Sequence, residues 1–197
     1  YGCGFLYEGE SVQKPEIDKL APALREKWIS LYDPSSHLPR CRVPILFVNG
    51  THDIHYPLDS YARTVALPAG SVSVRIEPEM LHSHEHGWAP EEIGLFIDAH
   101  CRSAATALVK VGAPVVSEQT ITVPYSSVVS LKSAALHYTT DSGLRSDHRW
   151  QQLEATRIDP ETIVTPGLPE GTNSWFVTLT DERGAMVSTA PVVVTAA

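Results

Sequence analysis

The densest titratable chemistry in this chain lies between residues 43 and 88, where His52, Asp53, His55, His82, His84 and His86 fall. A carboxylate that accepts from an imidazole Nδ1–H fixes the ring's tautomer and stabilises the imidazolium. The other ring nitrogen is then a base for a hydroxyl nucleophile. Asp53 and His82 are the candidates for that pair, and His84 is the rival base. Asp53 alone could simply cap a helix. His82, His84 and His86 alternate, so an extended chain would turn all three to one side. With His52 or His55 they could then hold zinc. The carboxylate base on a helix that accompanies zinc ligands in hydrolases is missing, so no metal and no cofactor is expected.

The elements around these residues explain why Asp53 and His82 could meet. Pro44–Asn49 is an apolar run bounded by Pro and Gly, the pattern of a buried parallel strand. Ser71–Ile76 is a second β-rich run, and Leu58–Val65 between them reads as a helix. Asp53 and His82 each follow one of these runs. In an open parallel sheet, functional groups gather beyond the carboxyl ends of the strands. Pro15–Tyr32 and Ala89–Ser103 are the flanking helices, by the three- and four-residue spacing of their apolar positions. Strand, helix, strand, helix implies an α/β sheet over residues 1–110.

From about residue 111 the pattern changes. Thr120–Val123, Ala134–Thr139, Gln151–Ile158, Ile163–Val164, Trp175–Thr180 and Met186–Val194 are short β-rich runs separated by turn signals such as Asp141-Ser142-Gly143. They predict an all-β sandwich over 111–197, with Val109–Pro114 as linker. Seven of the nine His fall before residue 110, so acid–base chemistry belongs to the first half. The net charge of −8 argues against nucleic acid as a partner, because phosphate backbones select clustered Lys and Arg. No apolar stretch is long enough to span a membrane. Three Cys do not make a disulfide framework, and Cys101 is expected in the core.

The stretches Tyr32-Asp33-Pro34-Ser35, Phe47-Val48-Asn49-Gly50-Thr51-His52-Asp53, Tyr56-Pro57-Leu58-Asp59-Ser60, Met80-Leu81-His82-Ser83-His84 and Gly87-Trp88 carry a resemblance. Residues 1–105 resemble the C-terminal third of α/β-hydrolases, in particular the acetyl xylan esterase-like and PhoPQ-regulated-protein-like group. The resemblance implies that Asp53 is the acid and His82 the base of a Ser-His-Asp triad. It places Cys3 on a substrate-pocket loop. Trp88, which follows the His loop, reads as a packing residue first and a wall of that pocket second. The resemblance also implies an ester or carbohydrate substrate, with acetyl esters of carbohydrates first and short peptides second. Leu136–Gly143 and Trp175–Gly184 resemble fibronectin type III or immunoglobulin-like modules. Appended to an esterase-like domain, such a module implies a secreted or periplasmic protein.

The family's nucleophile elbow, G-x-S-x-G, occurs nowhere in these 197 residues. The chain opens on Tyr1, in a Tyr-Gly-Cys-Gly stretch that reads as the end of a strand. The expectation is an interrupted hydrolase domain, whose nucleophile lies on a missing N-terminal segment or a second chain. The Ile45–Val48 strand would then present an unpaired edge. The alternative function class is a non-catalytic remnant, in which the sandwich binds a surface or polysaccharide through Trp150, Trp175, Tyr125 and Tyr138.

Overall fold

The computed structural model describes residues 1–194, and residues 195–197, the end of the predicted sandwich span, lie outside the described residues. The first half contains α1 (Lys14–Asp18), α2 (Pro22–Tyr32), β1 (Ile45–His52), α3 (Leu58–Val65), β2 (Val72–Leu81), α4 (His84–Trp88) and α5 (Glu92–Cys101). The second contains β3 (Lys110–Val111), β4 (Val115–Val116), β5 (Thr120–Ser126), β6 (Leu131–Thr139), β7 (Gln151–Glu154) and β8 (Arg157–Asp159). It continues with β9 (Thr162–Pro166), β10 (Ser174–Asp181), β11 (Met186–Ser188) and β12 (Val192–Val193).

The single helix expected over Pro15–Tyr32 is two. Pro22 lacks an N–H and holds Ala21 extended at ψ 145°, which separates α1 from α2. No residue of α2 is buried, and Leu24 and Leu31, two of its helically spaced apolar residues, are each 52% exposed. The helix expected over Ala89–Ser103 begins later, at Glu92, and a separate short helix, α4, precedes it. Cys101, expected in the core, is exposed at the end of α5.

β1 and β2 form a parallel pair, Ile45 opposite Val72 through Gly50 opposite Glu77, with α3 as the crossover. β1 has β2 as its one strand neighbour among the described residues, so its other edge carries no strand. Its carboxyl end is nevertheless covered. The Arg145–Asp147 turn between β6 and β7 packs against β1, and His52 Nε2 lies 2.8 Å from the His148 carbonyl.

The two halves share a sheet. β11 meets β2 at the Ser188–Val74 bridge, which gives a mixed seven-stranded sheet in the order β1-β2-β11-β10-β6-β7, with β12 beside β10. Side chains reinforce this short joint. Glu92 is buried and accepts from both Arg75 Nε (2.9 Å) and the Met186 N–H (2.7 Å), so it ties β2, α5 and β11 together. The remaining strands make an antiparallel five-stranded sheet, β3-β5-β9-β8 with β4 on β5.

Two cores lie on opposite faces of the seven-stranded sheet. One fills the space between the sheets with Ile121, Val123, Leu136, Ile163, Trp175, Val177 and Leu179. The other packs α1 and α3 onto β1 and β2 through Ile17, Phe47, Leu58, Tyr61, Val65 and Ile76. Strand alternation puts Trp175, Val177 and Leu179 of β10 in the first core and Phe176 in the second. The predicted linker also shifts. Val109 is buried and Lys110–Val111 pairs with β5, while the exposed connector is Arg102–Ala107. Among the described residues, no helix is long and apolar enough to cross a membrane.

Candidate active site

Asp53 sits just beyond the end of β1 and is 1% exposed. Its Oδ1 accepts the N–H groups of His55 (2.8 Å) and Tyr56 (2.7 Å), the local turn that an Asp side chain makes with the backbone following it. Its Oδ2 lies 2.9 Å from His82 Nδ1. A carboxylate has no proton to give, so this contact assigns the ring proton to Nδ1 and leaves Nε2 as the basic nitrogen. His82 Nε2 makes no hydrogen bond among the described residues, and the side chain is 25% exposed.

A bulge in β2 delivers His82 to that position. Gly50 pairs with Glu77, but the next pair is His52 with Leu81, so β2 carries two more residues than β1 over this stretch. Pro78 cannot donate to the ladder, and Glu79 adopts φ 60°, an uncommon conformation for a residue with a side chain. The Glu79 N–H is satisfied by Thr51 Oγ1 at 2.8 Å. The bulge folds over Gly50 so closely that a Cβ there would stand 2.0 Å from the Met80 carbonyl oxygen. Glycine at 50 and the extra β2 residues together bring His82 level with Asp53.

Aromatic rings surround the imidazole. Tyr1 stacks on His82 with centroids 5.3 Å apart, His55 lies at 4.2 Å, and Tyr56 meets the ring edge-on at 5.1 Å. The Tyr1 hydroxyl donates to Asp53 Oδ2 at 2.9 Å and lies 3.2 Å from His82 Nδ1. Burial and this hydrogen bond to the carboxylate push the Tyr1 phenol well above its ordinary range. Sequence reasoning misses Tyr1. Its one local signal is its place at the end of a strand-like opening, and nothing there points to residues so far along the chain.

The structure brings Asp53 and His82 together and leaves His84 apart. Ser83 caps α4 by accepting the His86 N–H, so the chain turns helical immediately after His82. The alternation that would align three imidazoles is thereby broken. His84 is exposed and stacks on Trp88, while His86 Nδ1 bonds Ser83 Oγ at 2.7 Å. Among the described residues, no cluster of three or more His, Cys, Asp or Glu is arranged to hold a metal.

Two pocket assignments need correction. Cys3 is 2% exposed and packs with Leu6, Phe47, Leu58 and Tyr61, so its thiol faces the core rather than a pocket. Burial, with the carboxylates of Asp53, Asp33 and Asp59 nearby, pushes that thiol well above its usual range. Trp88 is 79% exposed, so it stands out from the surface instead of lining a cleft. The loop that holds Cys3 is fastened from below by Asp33, which is fully buried and accepts the N–H groups of Phe5, Leu6 and Ser35. Phe5 takes φ 60° under that clamp.

The β6–β7 loop of the second half also ties down the loop that follows Cys3 in the first. Arg145 pairs with Glu10, and its backbone N–H also donates to Glu10 at 2.9 Å. The second half's aromatic residues are otherwise spent on packing. Trp175 is 4% and Tyr138 8% exposed, Trp150 packs against Phe176, and the Tyr125 hydroxyl donates to the Asp159 carbonyl at 2.6 Å. They form no exposed stacking platform. A scan against protein-family models finds no match to this chain, and a search of curated proteins returns no relative.

Proposed function

We propose that this chain supplies the acid–base part of a serine hydrolase of the α/β-hydrolase type, acting on ester bonds. The observation that carries the reading is the 2.9 Å contact between buried Asp53 and His82 Nδ1, with His82 Nε2 unengaged. His82 takes the proton of a serine hydroxyl as that oxygen attacks the ester carbonyl, then returns it to the leaving alcohol. Asp53 orients the ring and offsets the imidazolium charge, while the amides of His55 and Tyr56 hold the carboxylate in place. The serine and the oxyanion donors come from a segment or chain outside these 197 residues, in keeping with the absent G-x-S-x-G motif. Acetyl esters of carbohydrates are the substrate class that the resemblance implies, and an exported location belongs to the same reading.

The test is acetyl-ester hydrolysis by the full-length product of the gene that encodes this chain. His82→Ala is expected to lower kcat by about 10⁴-fold, and His84→Ala by less than about threefold. Loss confined to His84→Ala would reassign the base. Equal activity in both variants and the parent would remove the triad reading altogether. A non-catalytic scaffold remains the second reading. The missing elbow favours it, and the burial of Trp175 and Tyr138 weighs against an aromatic binding face.

A further inference from the structure

We propose that Tyr1 is a positioning residue for the Asp53–His82 pair, its hydroxyl serving as a further donor to Asp53 Oδ2. This inference rests on the acid–base reading above and adds to it a member that sequence motifs do not reveal. The two oxygens of Asp53 are held differently. Oδ1 has two backbone amides at 2.8 and 2.7 Å, both fixed by the turn, and a longer contact of 3.1 Å from His82 Nδ1. Oδ2 has His82 and the Tyr1 hydroxyl, each at 2.9 Å. Without Tyr1, Oδ2 would be held solely by the ring whose charge changes during catalysis. With Tyr1, the carboxylate plane is set by three donors that do not titrate in that cycle. Bonds from neutral donors to an ionised carboxylate are charge-assisted and short, which is the strength this task requires.

The slot for the Tyr1 ring is built on three sides. His82 stacks on it at an interplanar angle of 23°, and Tyr56 stands at 90° with centroids 5.6 Å apart. The third side is Gly87 of α4. A Cβ at that position would lie 2.8 to 3.1 Å from three Tyr1 ring carbons, closer than packed side chains tolerate. Glycine at 87 therefore leaves the space that the Tyr1 ring fills. Burial and the adjacent carboxylate keep the phenol protonated, so it donates throughout the working range of pH.

The experiment reads the Nδ1 proton of His82 by ¹H NMR in the chain of 197 residues. The parent should show a strongly downfield Nδ1 resonance that Asp53→Asn removes from that region. Tyr1→Phe keeps the ring and deletes the hydroxyl. It should move the resonance further downfield, because Oδ2 then serves one donor fewer. Gly87→Ala, which displaces the ring while keeping the hydroxyl, should move it in the same direction and provides an independent variant should Tyr1→Phe fold poorly. An unmoved resonance in either folded variant overturns the role of Tyr1 and leaves the Asp53–His82 pair intact. A parent without the resonance, or one indifferent to Asp53→Asn, overturns the acid–base reading and this proposal with it. In the catalytically complete protein, Tyr1→Phe should lower kcat about tenfold at unchanged KM. A purely structural role would instead lower thermal stability and leave the NMR signature where it was.

Discussion

The two halves of this molecule bury polar groups for different ends. In the first, buried charges sit where strands stop and chain segments meet. Asp53 gathers His82, Tyr1 and two amides, Asp33 gathers three amides, and Glu92 joins Arg75 to Met186. In the second, buried polar groups close local structure. Asp181 fastens the β10–β11 turn through Arg183 and Ala185, and His137 shares one hydrogen bond with Thr178 across the sheet. The aromatic residues follow the same division. Tyr1, Tyr56 and His55 crowd one imidazole, whereas Trp175 and Tyr138 fill a core. Convergence of donors on one buried carboxylate that holds a solvent-reachable ring sets the candidate site apart from the dispersed, locally satisfied polar groups of the second half.

That contrast can be broken most directly by paired substitutions. Trp175→Ala should cost about 3–5 kcal/mol of unfolding free energy, measured by urea denaturation, because it empties the centre of the core between the sheets. His82→Ala, in the half that holds the candidate site, should shift Tm by less than about 4 °C, and on the proposed reading it removes ester turnover. A reversed outcome would erase the distinction between site and scaffold.

His137 sharpens the contrast through pH. Burial lowers its pKa from 6.5 to about 4, and nearby Glu154 offsets this in part. The unfolded chain therefore binds this proton at a higher pH than the native one does. Stability falls as pH drops from about 6.5 towards 4, by about 3 kcal/mol in all from this group. Urea titrations of the parent and of His137→Gln across that range should show a flatter slope in the variant. Glu154, which pairs with Ala135 two residues along the strand, and Thr178, which bonds His137 from β10, should be unaltered in that comparison.

A smaller effect is expected at Gly50. Gly50→Ala sets a Cβ against the Met80 carbonyl, so the bulge must move, at a cost of at least about 2 kcal/mol. The same shift should weaken the His82 Nδ1 resonance, which a distant core defect such as Trp175→Ala leaves in place while the protein is folded. The smallest effect is on thiol reactivity. Iodoacetamide should label exposed Cys101 first in the native chain and reach buried Cys3 only after denaturation, as read by mass spectrometry of peptides.

Much of the site is legible in the chain because its logic is local. A buried strand that ends before Asp53 and another that ends before His82 suffice to place both groups on one edge. Leu58–Val65 is read correctly as a helix to its last residue. The signals fade where geometry depends on distant partners. The Tyr1–Asp53 bond spans 52 residues and the Tyr1–His82 contact 81, and no pattern in either segment names the other. The bulge at Pro78–Met80 depends on a close approach to Gly50, which periodicity does not encode. The shared sheet depends on a single Ser188–Val74 bridge reinforced by Glu92, and short strands carry too little pattern to announce their neighbours. The stripe on α2 shows the converse: helical spacing was present at Leu24 and Leu31 without the burial it usually signals.

β10 gives each of its faces to a different core, and this governs what cutting the chain would do. Arg102–Ala107 is exposed and is the natural place for a protease to act. The guanidinium of Arg183 holds the carbonyls of Thr106 and Ala107, each at 3.0 Å. Hydrolysis there would sever the backbone without freeing the pieces, since Phe176 would stay wedged under Ile76 and Val74, and Glu92 would still grip Met186. The nicked protein should run as one particle in gel filtration and as two bands after boiling in detergent. Heating should melt it in one step, because the core that holds Val74 and Ile76 takes Phe176 from the other piece.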